Sequence, residues 1–75
     1  MTILRPMDLK KFSDRLIELR IEKNLTQLQL AKELGIDSTT ISKWESCQRI
    51  PKGDGIVLLA RYFKVTAGYL LGIED

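Results

Sequence analysis

Four short polar or basic side chains, Ser38, Thr39, Ser42 and Lys43, surround two large apolar ones, Ile41 and Trp44, within a single stretch of the chain. Ile41 and Trp44 are three residues apart, so on a helix they share a face that can anchor on a core. The other four have the size and hydrogen-bonding chemistry to enter a DNA major groove about 12 Å wide and touch base edges or phosphates. Catalytic chemistry has no comparable grouping. The chain lacks His and carries one Cys, Cys47. Histidine acid–base sites, zinc fingers and an intrachain disulfide are therefore excluded. Paired carboxylates beside a nucleophile are also missing, so neither an enzyme nor a metal or cofactor site is expected. Twelve Lys and Arg against ten Asp and Glu leave a net charge of +2, too small by itself to imply a nucleic-acid partner. Over residues 38–52, however, Lys43, Arg49 and Lys52 are opposed only by Glu45.

The elements that must position these residues are short helices in one small domain. The chain has 75 residues, 44% of them hydrophobic, which suits a globular domain and not a disordered tail. No run approaches the ~20 apolar residues of a membrane span. Residues 1–7 read as a tail, and no apolar run follows them to make a signal peptide. A cytoplasmic, reducing compartment is expected, with Cys47 a free thiol. The domain is read as 8–72 and residues 73–75 as a second tail. Asp8 can cap a first helix over 8–23, whose core face is Phe12, Leu16 and Leu19. Asn24 tolerates the left-handed conformation that ends a helix. Thr26 and Gln29 have capping-box spacing at the head of a second helix, 27–34, with Leu30, Ala31 and Leu34 inward and Gly35 as its stop. Asp37 can cap a third helix. The β-branched run Thr39-Thr40-Ile41 argues for a strand, but the preceding Gly35 and Asp37 favour helix. Residues 46–51 read as a loop. Ile56, Leu59, Ala60 and Phe63 mark a fourth helix over 54–63, and Thr66 can cap a fifth over 67–71, closed by Gly72.

Gly35-Ile36-Asp37 thus joins two short helices by a turn of the length used in helix-turn-helix units. The chain resembles the phage-repressor and Cro-like (XRE-type) helix-turn-helix family over residues 12–72. The resemblance is carried by Phe12-Ser-Asp-Arg-Leu-Ile-Glu-Leu-Arg20, Leu25-Thr-Gln-Leu-Gln-Leu-Ala31, Leu34-Gly-Ile36, Thr40-Ile-Ser-Lys-Trp-Glu45, Pro51, Leu59-Ala60, Val65 and Tyr69-Leu-Leu-Gly72, and by the register between them. It implies an all-α, compact five-helix, lambda-repressor-like DNA-binding domain with the helix-turn-helix formed by helices 2 and 3. It also implies a sequence-specific transcriptional regulator, with repression the expected output, acting as a homodimer on double-stranded DNA. Ser38, Thr39 and Lys43 match the base-reading positions. Lys43 can donate to guanine O6 and N7, and the Thr39 methyl can pack on a thymine methyl. Gln27, Thr40, Ser42, Ser46, Gln48, Arg49 and Lys52 match positions that touch phosphates, and Gln27 also braces the recognition helix. Arg20 and Glu45 resemble a structural salt bridge between helices 1 and 3. Helix 5 and its preceding loop match a dimer surface. The resemblance implies no membrane partner and no small-molecule ligand. The alternative is a protein-interaction module or antitoxin that uses the same fold with little DNA specificity.

Several residues depart from the family pattern. Cys47 stands where Gly or a small polar residue is usual, at a position that calls for positive φ. Gly53, Gly55 and Gly68 imply softer helix edges. Ile17, Ile21 and Leu28 replace residues that are more often charged. They mark a partner surface or a core extension covered by Ile3 and Leu4.

Overall fold

The structure is a computed structural model that describes residues 8–74. Those residues form five helices and no strand: α1 (Leu9–Glu22), α2 (Gln27–Leu34), α3 (Ser38–Glu45), α4 (Gly53–Phe63) and α5 (Ala67–Leu70). Local side-chain chemistry starts most of them. Asp8 Oδ1 accepts from the Lys11 amide at 3.0 Å. Thr26 Oγ1 accepts from the Gln29 amide at 3.0 Å while Gln29 Oε1 accepts from the Thr26 amide at 2.8 Å, completing the capping box. Thr66 Oγ1 accepts from the Tyr69 amide at 3.0 Å. Asp37 departs from expectation: it occupies the N-cap position of α3 in an extended conformation, but its side chain makes no capping bond. Its carbonyl accepts from Thr40 N–H at 3.1 Å instead. The β-branched run lies within α3, so the turn before it outweighs strand propensity.

Helix ends shift slightly from those read in the sequence. α1 is one residue shorter at each end, α4 starts at Gly53 rather than 54, and α5 ends at Leu70 rather than 71. Gly35 ends α2 at φ +70°. A Cβ there would meet nothing within 4 Å, so the torsion and not crowding calls for glycine.

Phe12, Leu16, Leu30, Ala31, Ile41, Trp44, Leu59 and Phe63 form the core, joined by Ile56 and Leu70. Phe12 meets Trp44 edge-on with ring centroids 6.5 Å apart. Periodicity places Leu19 and Leu34 in this core, but they are only half-buried at its margin. Each occupies the last turn of its helix and packs against the core from its edge. Ser13 is the one buried polar residue among those described. Its Oγ donates to the Trp44 carbonyl at 2.7 Å and pairs with Cys47 Sγ at 3.0 Å, tying α1 to the end of α3. The domain closes on itself where Asp8 N–H donates to the Leu71 carbonyl at 3.0 Å. Ile73 N–H then turns back to the Gly68 carbonyl at 3.1 Å. Ile21 and Leu28 are 58% and 54% exposed; Ile3 and Leu4, read as their cover, lie outside the described residues, as does the tail over 1–7.

Candidate nucleic-acid interface

α3 is held from behind and open in front. Ile41 is fully buried and Trp44 nearly so, and both face the core shared with α1 and α2. Thr39 and Ser42 are exposed, and Ser38, Thr40 and Lys43 are half-exposed. Ser46, Gln48, Arg49 and Lys52 are exposed along the segment after α3. Cys47 takes φ +63° there, so the chain bends back and the amides of Gln48 and Arg49 both reach the Lys43 carbonyl, at 2.9 and 3.3 Å. This bend keeps Arg49 close to the end of α3. An open groove of about 710 Å³ runs between α3 and α4, lined by Thr40, Trp44, Arg49, Ile50 and Leu58 among others. The indole Nε1 of Trp44 is buried with no hydrogen-bond acceptor among the described residues.

A charged cluster sets the angle between the helices. Arg20 of α1 donates from Nε to Glu45 Oε2 at 2.7 Å and from Nη2 to Oε1 at 3.0 Å, a bidentate pair. The Arg20 side chain is 15% exposed and that of Glu45 5%. Arg20 Nη1 also donates to the Leu25 carbonyl at 2.8 Å, which fixes the link between α1 and α2. Bonding to the Glu45 carboxylate raises the Arg20 pKa above its already high value, against the opposing effect of burial, so the guanidinium stays charged. Gln27, the first residue of α2, donates from Nε2 to Glu45 Oε1 at 3.0 Å. One carboxylate therefore joins α1, α2 and α3. The resemblance implies that Gln27 braces the recognition helix; that it does so through Glu45, and that Ser13 is buried, is not carried by the sequence pattern. Their partners lie 18 and 31 residues away, and local periodicity carries no signal for such pairs.

Of the residues singled out in the sequence, Ser38, Thr39, Ser42 and Lys43 share α3, and Ser46, Gln48, Arg49 and Lys52 continue from its end. Thr40 turns toward the groove. Gln27 joins this group through Glu45. Among the described residues, no cluster of three or more His, Cys, Asp or Glu is placed to hold a metal ion.

A short helix, a glycine turn and a second helix with a buried apolar back and a polar front make a helix-turn-helix unit. The family model HTH_3, described as helix-turn-helix, matches residues 16–70. The chain belongs to this family, the XRE-type helix-turn-helix proteins. Over 65 residues it is 42% identical to the HTH-type transcriptional activator BcrR of Enterococcus faecalis, covering 87% of this chain and 32% of that protein. It spans between a third and just over half of the length of the curated relatives it matches. Among solved structures, the restriction-modification controller protein C.AhdI of Aeromonas hydrophila superposes with a TM-score of 0.74 at 36% identity, covering 84% of this chain and 96% of that one. The P22 c2 repressor bound to a synthetic operator superposes at 0.77 with 25% identity and the same coverages. The five helices thus adopt the lambda- and 434-repressor-like fold.

Proposed function

We propose that this domain binds double-stranded DNA in a sequence-specific manner and regulates transcription, with repression by occupying an operator as its output. The observation that carries the reading is α3: a buried Ile41–Trp44 back and an open Ser38, Thr39, Ser42 and Lys43 front. Ser38, Thr39 and Lys43 read base edges in the major groove. Lys43 supplies the one long donor, for guanine, and Thr39 offers a methyl for thymine. Gln27, Thr40, Ser42, Ser46, Gln48, Arg49 and Lys52 contact phosphates, with Arg49 the strongest through charge-assisted bonds. The likeness to a repressor crystallised with its operator supports this reading.

A homodimer is the functional unit in this reading. One module of this kind buries only about 600–1,000 Å² against DNA, and two-fold operators place half-sites about one helical turn, ~34 Å, apart. The site of action is the cytoplasm; no helix among the described residues is long and apolar enough to cross a membrane. The test is selection from a random duplex library, followed by titration of the winner at two salt concentrations. An enriched palindrome with half-sites about one turn apart, bound more weakly at higher salt, is the expected result. Absence of enrichment together with indifference to salt would overturn the reading in favour of a protein-interaction module.

A further inference from the structure

We infer that Glu45 is a positioning residue for DNA contact, acting through the side-chain amide of Gln27; this rests on the DNA-binding reading above. Glu45 Oε1 accepts from Gln27 Nε2 at 3.0 Å and from Arg20 Nη2 at 3.0 Å, while Oε2 accepts from Arg20 Nε at 2.7 Å. An amide nitrogen carries two hydrogens in one plane. When Glu45 binds one of them, the direction of the other is set. Gln27 is the first residue of α2, and the backbone N–H groups of Gln27 and Leu28 have no acceptor among the described residues. Those two donors at a helix N-terminus already favour an anion. The second Gln27 amide hydrogen joins them as a third donor to one phosphate oxygen.

The carboxylate is suited to this task because it is held on three sides. A nearly buried acceptor fixed by a bidentate arginine cannot follow Gln27 if the amide rotates. Glu45 itself is turned away from solvent and makes no DNA contact in this arrangement. Its charge is balanced by Arg20 in the bidentate pair, so its effect on Gln27 is directional.

The experiment measures affinity for the duplex enriched in the library selection and follows the Gln27 side-chain amide protons by NMR. The wild-type chain, Gln27→Met, Glu45→Gln and the double variant are compared well below their melting temperatures. In the wild type the two amide protons are expected at well-separated shifts, and duplex should move one while the other stays. Gln27→Met should bind about tenfold more weakly, the scale of one hydrogen bond to a charged group. Glu45→Gln should lose a similar factor, and the double variant no more than either alone. Two amide protons that move together, full affinity in Gln27→Met, or losses that multiply in the double variant would each overturn the inference. If Glu45→Gln does not fold, the wild-type amide signals and Gln27→Met decide it alone. A wild type that binds no duplex at all would overturn the DNA-binding reading and this inference with it, whereas a wild type that binds as tightly as Gln27→Met overturns only the inference.

Discussion

Arg20 serves three partners at once: two oxygens of Glu45 and the Leu25 carbonyl. Truncation to alanine would leave the Glu45 carboxylate nearly buried and without its cation. Breaking a buried pair from one side costs about 3–5 kcal/mol, and for a domain of this size each kcal/mol lowers Tm by roughly 4–8 °C. Arg20→Ala is therefore expected to lower the melting temperature by at least ~12 °C and to lose DNA affinity through the fold; an unchanged melting temperature would contradict this. Lys43 and Arg49 are separated by a different measurement. Lys43→Ala should relax preference at one base position, with discrimination there falling by about 1–3 kcal/mol. Arg49→Ala should weaken binding to all sequences alike and reduce the salt slope by about one per protomer, about two on an operator holding two. Binding of each variant to single-base operator variants at several salt concentrations tells the two roles apart.

Helix ends show which parts of the domain could be read from the chain. Asp8, Thr26, Gly35 and Thr66 act on amides or torsions within three residues, and their roles follow from local chemistry. The burial of Ser13 and the choice of Glu45 as the partner through which Gln27 braces α3 depend on how helices come together, so nothing in the neighbouring residues announces them. The same distinction explains Leu19 and Leu34: periodicity places them on the core face, but only packing shows that the core ends before they do. Lys64 adds a point at the end of α4, where a non-glycine residue holds φ +58° and is exposed. Lys64→Gly should raise stability by about 0.5–1 kcal/mol by relieving the left-handed conformation, readable as a higher denaturation midpoint. Between elements, Tyr62 Oη of α4 donates to Glu33 Oε1 of α2 at 3.3 Å. Burial, then the charge of Glu33 and the bond to it, raise the Tyr62 pKa above 10.0. The folded state thus holds this proton more tightly than the unfolded chain. Its contribution is complete below the ordinary value and is lost as pH rises through the raised one. Relative to Tyr62→Phe, the wild-type melting temperature should fall as pH rises above about 10, the ordinary tyrosine value; a constant difference would contradict this.

At the scale of the whole molecule, the small net charge and the proposed DNA contact are compatible because the field is local. Ten acidic residues nearly balance twelve basic ones over the chain, yet some of those charges are engaged within the fold. Glu45 is taken by Arg20, and exposed Asp14 is paired with Lys10 at 3.1 Å. Arg15 lies over the Tyr69 ring at 4.2 Å and donates to the Glu74 carbonyl at 2.7 Å, so it serves the closure of the domain. Arg49 and Lys52 remain exposed beside the groove next to α3. The salt dependence of binding should follow these cations and not the net charge. With each phosphate neutralised by a cation contributing about −0.9 to the slope of log K against log salt, two per protomer give about −2, and two protomers on one operator about −4. Titrations over a range of salt concentrations, run once on the enriched palindrome and once on a single half-site, measure both values. A slope near −4 on the palindrome and near −2 on the half-site would count two protomers on the operator without any reference to the solution mass of the protein. Equal slopes on the two duplexes would mean that one protomer binds alone, and the dimer would then have to be abandoned as the functional unit.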